Sequence, residues 1–386
     1  MNDGRPPLPA FTTFRFFAAL AVVGHHLACI RDDPKYHHFH ERWLFEGYSG
    51  VTFFFILSGF ILTSNYGDAF SILRRAQVRA FYIARFARIY PLHVLTFFAF
   101  FLVDDPSLKG IVARPWPAVA NLTLTQSFFP RDSVYFSYNA VSWSLSVEFF
   151  FYLLFPLLLW AAHTTALNRP AKAAAVCVCI WSAAFSCNWV FRSGALSHWL
   201  FYVNPLFRLN DFLIGVVLAV PLRGRLTKAA AKTDRVATVL EFASLIGLVV
   251  AVCFARRVPL PVRLATYYTP FMAAVVFAFS LQAGLLTRLL SWRPLQFLGE
   301  ISFSLYMLHG IWQSLLINNK VVWGLENAST LAFGALYLVT VLAASALCYC
   351  CFETPMRVGL RVLLQKPTNV PPAAPRGATD ERRLAA

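Results

Sequence analysis

Apolar runs separated by short clusters of Arg, Lys and Pro make up almost the whole chain. Runs at about 11–30, 49–66, 89–104, 143–163, 173–192, 206–222, 237–255, 264–286, 298–319 and 330–352 predict ten helices. The stretches Gly47 to Gly67, Leu264 to Thr287 and Asn327 to Phe352 contain no Lys, Arg, Asp or Glu. Each exceeds the ~20 residues that a helix needs to cross hydrocarbon. The pattern predicts an all-α, polytopic membrane helical bundle with about ten transmembrane helices. A further apolar piece, Ala118 to Phe129, is short, carries Asn121 and Gln126, and follows the breaker Pro115-Trp116-Pro117.

Charge sets the expected topology. Arg74, Arg75, Arg79, Arg85 and Arg88 cluster in one connection, and Arg223, Arg225, Lys228, Lys232 and Arg235 in another. The C-terminal segment is basic as well, and the positive-inside rule puts all three in the cytoplasm. An even number of spans must then separate the first two clusters, which holds only if 118–129 does not cross, so that piece is expected to be re-entrant or interfacial. Both termini come out cytoplasmic. Arg256, Arg257 and Arg263 fall on the outer side, against the rule.

Composition agrees with this reading. With 58% apolar and 13% charged residues, too little polar surface exists to coat soluble domains. The net charge of +16 lies in the connections, so it reports topology rather than nucleic-acid binding. The eight cysteines lie within or beside apolar runs, and neither Cys177-x-Cys179 nor Cys350-Cys351 has zinc-ligand spacing, so no metal is expected. The N-terminal apolar stretch contains Arg15, His25 and His26 without a following cleavage site, and reads as a retained first span. The expected organisation is a cytoplasmic N-terminus over 1–10, one membrane domain over 11–360, and a cytoplasmic tail over 361–386 whose Pro-rich, charged composition predicts disorder.

Ionisable residues within spans are costly, which makes them functional candidates. Arg15 and His26 are eleven residues apart, three helical turns, and share a face at a separation of about 16 Å. They either line one polar channel, or Arg15 snorkels to headgroups while His26 is a satisfied core residue. In Trp143-Ser144-Leu145-Ser146-Val147-Glu148, Ser144 and Glu148 share a face; Glu148 either serves the helix dipole in a first turn or orients a histidine. Ser302, Tyr306 and His309 form a polar stripe on another helix. Arg208, Asn210 and Asp211 occur together and pair with one another on the simplest reading. Arg85 and Arg88 form an Arg-x-x-Arg that either enforces topology or makes a fork for phosphate, such as the phosphates of coenzyme A.

These separated pieces resemble acyltransferase family three, membrane proteins that O-acylate bacterial polysaccharides, lipopolysaccharide sugars, Nod factors and macrolide sugars. The resemblance rests on Phe14-Arg15 through His26, the run Gly50 to Phe60, Arg85 to Pro91, Trp143 to Glu148, Leu298 through His309, and Phe352-Glu353-Thr354-Pro355. The family pattern has ten residues between its first-helix Arg and His, which selects His26 over His25. After Glu148 the family often has a second acid or polar residue, where this chain has Phe149 and Phe150.

The resemblance implies a ten-span enzyme of the bacterial inner membrane that moves an acyl group, with acetyl expected, from cytoplasmic acyl-CoA to a sugar or glycan hydroxyl, on an acceptor that is free or lipid-linked. His26 would act as general base or acyl relay, with Arg15 stabilising the oxyanion and Glu148 and His309 supporting the acceptor site. Arg85 and Arg88 would hold the coenzyme, and Trp143, Ser144, Ser302 and Tyr306 would line the substrate site. The rival reading from another class is a transporter or flippase for a sugar-linked substrate.

Overall fold

The computed structural model describes residues 8–67, 69–103, 115–165, 167–222 and 234–364. Arg223, Arg225, Lys228 and Lys232, most of the N-terminal segment and the tail from 365 lie outside the described residues. The main helices are α1 (Pro9–His25), α2 (Gly50–Tyr66), α3 (Arg75–Val103), α4 (Pro115–Leu122), α5 (Trp143–Thr164), α6 (Pro170–Phe191) and α7 (Pro205–Ala219). They continue with α8 (Arg235–Phe254), α9 (Thr269–Ser280), α10 (Arg293–Glu300), α11 (Ser302–Asn318), α12 (Thr330–Cys348) and α13 (Thr354–Leu364). No strand occurs among the described residues, and the all-α membrane bundle is as expected.

Eight helical stretches among the described residues are long and apolar enough to cross a membrane. The other two predicted spans correspond to α1 and α11, each of 17 residues. Those two shorter, more polar helices carry Arg15, Ser302, Tyr306 and His309, with His26 just past the end of α1. The cost of polar groups in lipid explains their place: α1 packs against α2, α10 and α11 inside the bundle, while α6 and α8 face outward with most of their apolar side chains exposed.

Small residues let the inner helices approach closely. A Cβ on Gly215 of α7 would lie 1.9 Å from the Ile56 carbonyl oxygen, and one on Gly59 of α2 would lie 2.1 Å from that of Phe212. The backbones of α2 and α7 therefore touch, a geometry that membrane helices use where packing must replace the hydrophobic effect. Helix α1 is gripped the same way, with Gly47 against Ala21 and Gly299 against Thr12.

Several predicted helices are interrupted. The 11–30 run breaks at His26, where α1 ends before a short turn of helix at Ala28–Arg31. The 298–319 run breaks at Ile301, between α10 and α11. The 264–286 run stops at Ser280, and Gln282 takes φ 51°. The cause there is Glu241, fully buried, whose carboxylate accepts from the backbone N–H of Leu286 at 2.8 Å and of Thr287 at 3.3 Å, capping a short helix at Leu285–Leu290. Gly284 is required beside it, because a Cβ would meet that carboxylate at 2.1 Å.

Pro115-Trp116-Pro117 does not break a helix but opens α4, where the missing proline N–H groups cost nothing. With eight residues α4 extends only about 12 Å, too short to cross. Asn121, Gln126 and Ser127 are fully buried in protein: Asn121 donates to the Ser137 carbonyl at 3.0 Å and Gln126 to the Ser142 carbonyl at 3.1 Å. At the other end of the chain, α13 runs to Leu364, so the first residues of the predicted tail are helical.

Two of the three arginines expected on the outer side have carboxylate partners. Arg263 pairs with the buried Glu46, which also accepts from Tyr48 at 2.9 Å and Tyr268 at 2.7 Å. Arg256 lies 3.6 Å from Glu41. These residues hold a loop together, which is a reason for their position independent of topology.

Candidate active site

Helices α1 and α11 run side by side in the same direction, with Thr12 against Gly299 of α10 just before α11 begins, and His26 against His309 midway along α11. His26 sits where α1 breaks, half-buried, while His309 is 1% exposed. Protons can be placed from the partners. Nδ1 of His309 is 2.7 Å from the Tyr306 carbonyl oxygen, which only accepts, so Nδ1 carries the proton and Nε2 of the neutral ring is a lone pair. That Nε2 stands 3.2 Å from Nδ1 of His26, which must therefore donate; Nδ1 is also 3.0 Å from the Val22 carbonyl. Nε2 of a neutral His26 is left as a lone pair with no protein partner among the described residues. His25 is different: its Nδ1 is held by the Phe45 carbonyl at 2.6 Å, which ties it to the loop before α2.

The break at His26 is clamped by Gln313, one turn beyond His309 on α11. Its amide donates to the His26 carbonyl at 3.0 Å and accepts from the Ala28 N–H at 3.0 Å. Both backbone groups are freed by the helix end, and one side chain satisfies them. Replacing Gln313 by Leu leaves both unpaired and is expected to cost about 1–3 kcal/mol, read as a fall in thermal unfolding temperature of the detergent-purified protein. An unchanged midpoint would show that the clamp contributes nothing.

The second cluster lies about three turns down α1. The Arg15 guanidinium is within electrostatic reach of Arg88, Glu148, Glu353 and Tyr152. Glu148, on the second turn of α5, accepts from Ser58 at 3.3 Å and from Tyr152 one turn on. Neither partner is a histidine and the helix starts at Trp143, so neither the first-turn dipole role nor contact with an imidazole describes Glu148. Arg85 lies over the rings of Tyr66, Phe81 and Tyr152, each 5.8 Å from the guanidinium carbon. Glu353, 2% exposed, accepts from Ser304 at 2.7 Å. It is a second carboxylate within electrostatic reach of Arg15, from a distant part of the chain.

Between the two clusters, the Tyr306 hydroxyl meets Ser144 Oγ at 2.8 Å. Ser144 is one turn before Glu148 on α5, and Tyr306 one turn before His309 on α11. These buried and half-buried polar residues thus form three successive levels: His26 with His309, Tyr306 with Ser144, then Glu148, Tyr152 and Arg15. Two predicted site residues lie off this track. Ser302 donates to the Gly299 carbonyl at 2.7 Å across the break before α11, and Trp143 packs in the aromatic core on Tyr202 with centroids 4.8 Å apart. Gln313 and Tyr152 were not singled out from sequence, and Ser58 and Glu353 stood there only within segments that carry the resemblance. The signals for two of them were present, since Gln313 follows His309, and Tyr152 follows Glu148, by four residues.

A family model described as an acyltransferase domain matches residues 8–350. The chain belongs to this acyltransferase family. It is 32% identical over 237 residues to the acyltransferase MdmB of Streptomyces mycarofaciens, covering 56% of this chain and 58% of that protein. It is 26% identical over 317 residues to the putative peptidoglycan O-acetyltransferase YrhL of Bacillus subtilis, covering 78% and 48% respectively. The peptidoglycan O-acetyltransferase OatA of Listeria monocytogenes is 24% identical over 328 residues, covering 79% and 49%. The chain spans about half the length of these curated relatives. No solved structure matches it.

Among the described residues no group of His, Cys, Asp or Glu is placed to hold a metal ion.

Proposed function

We propose that this membrane protein is an O-acyltransferase that moves an acyl group from an acyl-CoA thioester to a hydroxyl of a sugar or glycan, with His26 as general base. The observation that carries the reading is the tautomer chain from the Tyr306 carbonyl through His309 to His26, which leaves Nε2 of His26 as an unpaired base on a half-buried residue. The acceptor hydroxyl gives its proton to that nitrogen as its oxygen attacks the thioester carbonyl carbon. The tetrahedral oxyanion then collapses, the C–S bond breaks, and the departing sulfur takes the proton back from the imidazolium, giving an ester and free thiol. His309 holds the ring orientation and accepts the hydrogen bond from the Nδ1–H of His26 throughout. The same free Nε2 also suits a covalent acyl-histidine relay, in which it attacks the thioester itself.

Arg15 belongs on this reading to the donor end. Three turns of helix, about 16 Å, separate it from His26, too far to hydrogen-bond an oxyanion formed there. With Arg85 and Arg88 it makes a cationic end for phosphates, and a donor bound there needs an extended arm, as pantetheine is, to bring its thioester to His26. The arginine-rich end would face the cytoplasm, where acyl-CoA is found, and Tyr306 and Ser144 would line the passage between. The acetyl group and a glycan acceptor are supported by the relatives that are peptidoglycan O-acetyltransferases by name. The membrane would be the bacterial inner membrane.

The test is transfer of radiolabel from acetyl-CoA in membrane vesicles that contain the protein, with glycan and lipid fractions counted separately. Label in glycan or glycolipid is the expected result. No label with any acceptor, while a sugar-linked substrate still crossed the vesicle wall, would replace the enzyme by the transporter.

A further inference from the structure

Helix α13 faces the wrong way for a helix that merely rests on a membrane surface. Val358, Val362 and Leu363 are exposed at 55%, 75% and 75%, while Arg357 and Arg361 turn inward, half-buried. An interfacial helix ordinarily extends its arginines to water and headgroups. Here they meet other arginines. Helix α13 packs on α3, and Arg361 is within electrostatic reach of Arg85, Arg88 and Arg357. Arg79 of α3 reaches the Leu364 carbonyl at 3.5 Å, at the end of α13.

Four guanidiniums on two packed helices repel one another unless something negative lies between them. The buried acid beside them is Glu353, 3.8 Å from Arg357 and already bonded to Ser304 and within reach of Arg15. The Nε atoms of Arg85 and Arg361 are both buried with no hydrogen-bond partner among the described residues. A buried unpaired donor on a charged group is costly, and two of them within one cationic cluster leave hydrogen-bonding capacity aimed at a missing acceptor. The positive-inside rule accounts for arginines at this end of the bundle. It does not account for their convergence or for their buried, vacant donors.

We infer that Arg357 and Arg361 of α13, together with Arg85 and Arg88 of α3, form a four-arginine site for a ligand with several phosphate groups. The inference rests on the acyl-CoA reading above and extends the coenzyme site from one helix to two, since a 3′-phosphate and a diphosphate carry more charge than the Arg85/Arg88 pair alone can match. Arginine suits this role because each fork offers two parallel donors to phosphate oxygens. An anionic lipid headgroup has the same phosphate chemistry, and the experiment separates the two sources.

Full-length protein is placed in nanodiscs of phosphatidylcholine alone, and coenzyme A binding is measured by calorimetry for wild type, Arg361→Gln and Arg361→Lys, with monodispersity checked by gel filtration. Loss of one charge-assisted phosphate contact should weaken binding of coenzyme A about tenfold or more in the Gln variant. The Lys variant keeps the charge and should lose less, which separates charge from folding. Wild type and Gln variant binding coenzyme A equally would overturn this site while leaving the acyl-CoA reading intact. Wild type that binds no coenzyme A would remove the donor reading and this site together. A difference between the variants that shows only with phosphatidylglycerol in the disc, through lipid binding, would also overturn it and assign the arginines to a headgroup.

Discussion

Replacing His26 by Ala is expected to lower the rate of acyl transfer by about 10²–10⁴-fold while the protein remains inserted and folded. The lone pair on Nε2 is the feature lost; His25 and His40 beside the break each keep a free ring nitrogen as well, and what sets His26 apart is the contact of its Nδ1 with His309. Two companion substitutions give the prediction its edge. His309→Ala removes the partner that fixes the His26 ring but leaves the base itself, so its loss should be smaller, since a neutral His26 can still present Nε2 part of the time. His25→Ala removes a ring bonded to the Phe45 carbonyl and should act on stability more than on turnover. The measurement is the initial rate of labelled acetyl transfer in vesicles, normalised to folded protein. If His26→Ala transferred at the wild-type rate, the general-base assignment would fail. If His25→Ala fell further than His26→Ala, the wrong ring would have been chosen.

The apolar spans were legible because composition alone dictates them: a run of about twenty residues without charge has no other use in a chain with so little polar surface. The interruptions were not. Nothing local marks His26 or Gln282 as a break; both lie beside a partner remote in sequence, Gln313 at the first and Glu241 at the second. The candidate site divides the same way. Arg15, His26, Glu148, Tyr306 and His309 stood out singly, because a polar group in an apolar helix is expensive wherever it points. That His309 meets His26, and that Glu148 meets Ser58 and Tyr152, depends on how helices far apart in the chain are arranged, which periodicity does not encode. The charge count could not foresee the partner of Arg263 for a related reason: Glu46 lies more than two hundred residues away. The proposal for 118–129 came from counting charges on either side, and the short α4 with its buried Asn121 has the dimensions such a segment needs.

The largest effect on stability is expected at the ion pair inside α7. Arg208 and Asp211 are both fully buried and 3.0 Å apart, one turn from each other on one helix. The sequence reading that they pair with one another holds for these two, while Asn210 instead donates to the Phe207 carbonyl. Arg208 also donates to Thr52 on α2 at 2.7 Å and lies over the Phe55 ring at 5.2 Å, and Asp211 accepts from Thr269 on α9 at 2.8 Å. The pair thus ties α7 to α2 and α9. Asp211→Leu leaves a buried guanidinium without its counter-charge, held only by the Thr52 hydroxyl and the Leu264 and Ala265 carbonyls, and should cost about 3–5 kcal/mol, enough to remove most folded protein from the membrane. The double variant Arg208→Met with Asp211→Leu removes both charges, and replacing a buried pair by apolar residues of similar size is often neutral or stabilising. Folded yield by fluorescence-detected gel filtration should therefore collapse in the single variant and recover in the double. A double variant no better than the single would mean that the hydrogen bonds to Thr52 and Thr269, rather than charge compensation, hold the three helices in register. A double variant that regained its fold but not its transferase activity would point elsewhere: the Arg208 guanidinium also lies 5.8 Å from the Tyr202 ring, which packs at a tilt against Trp143 at the start of the helix that carries Ser144 and Glu148.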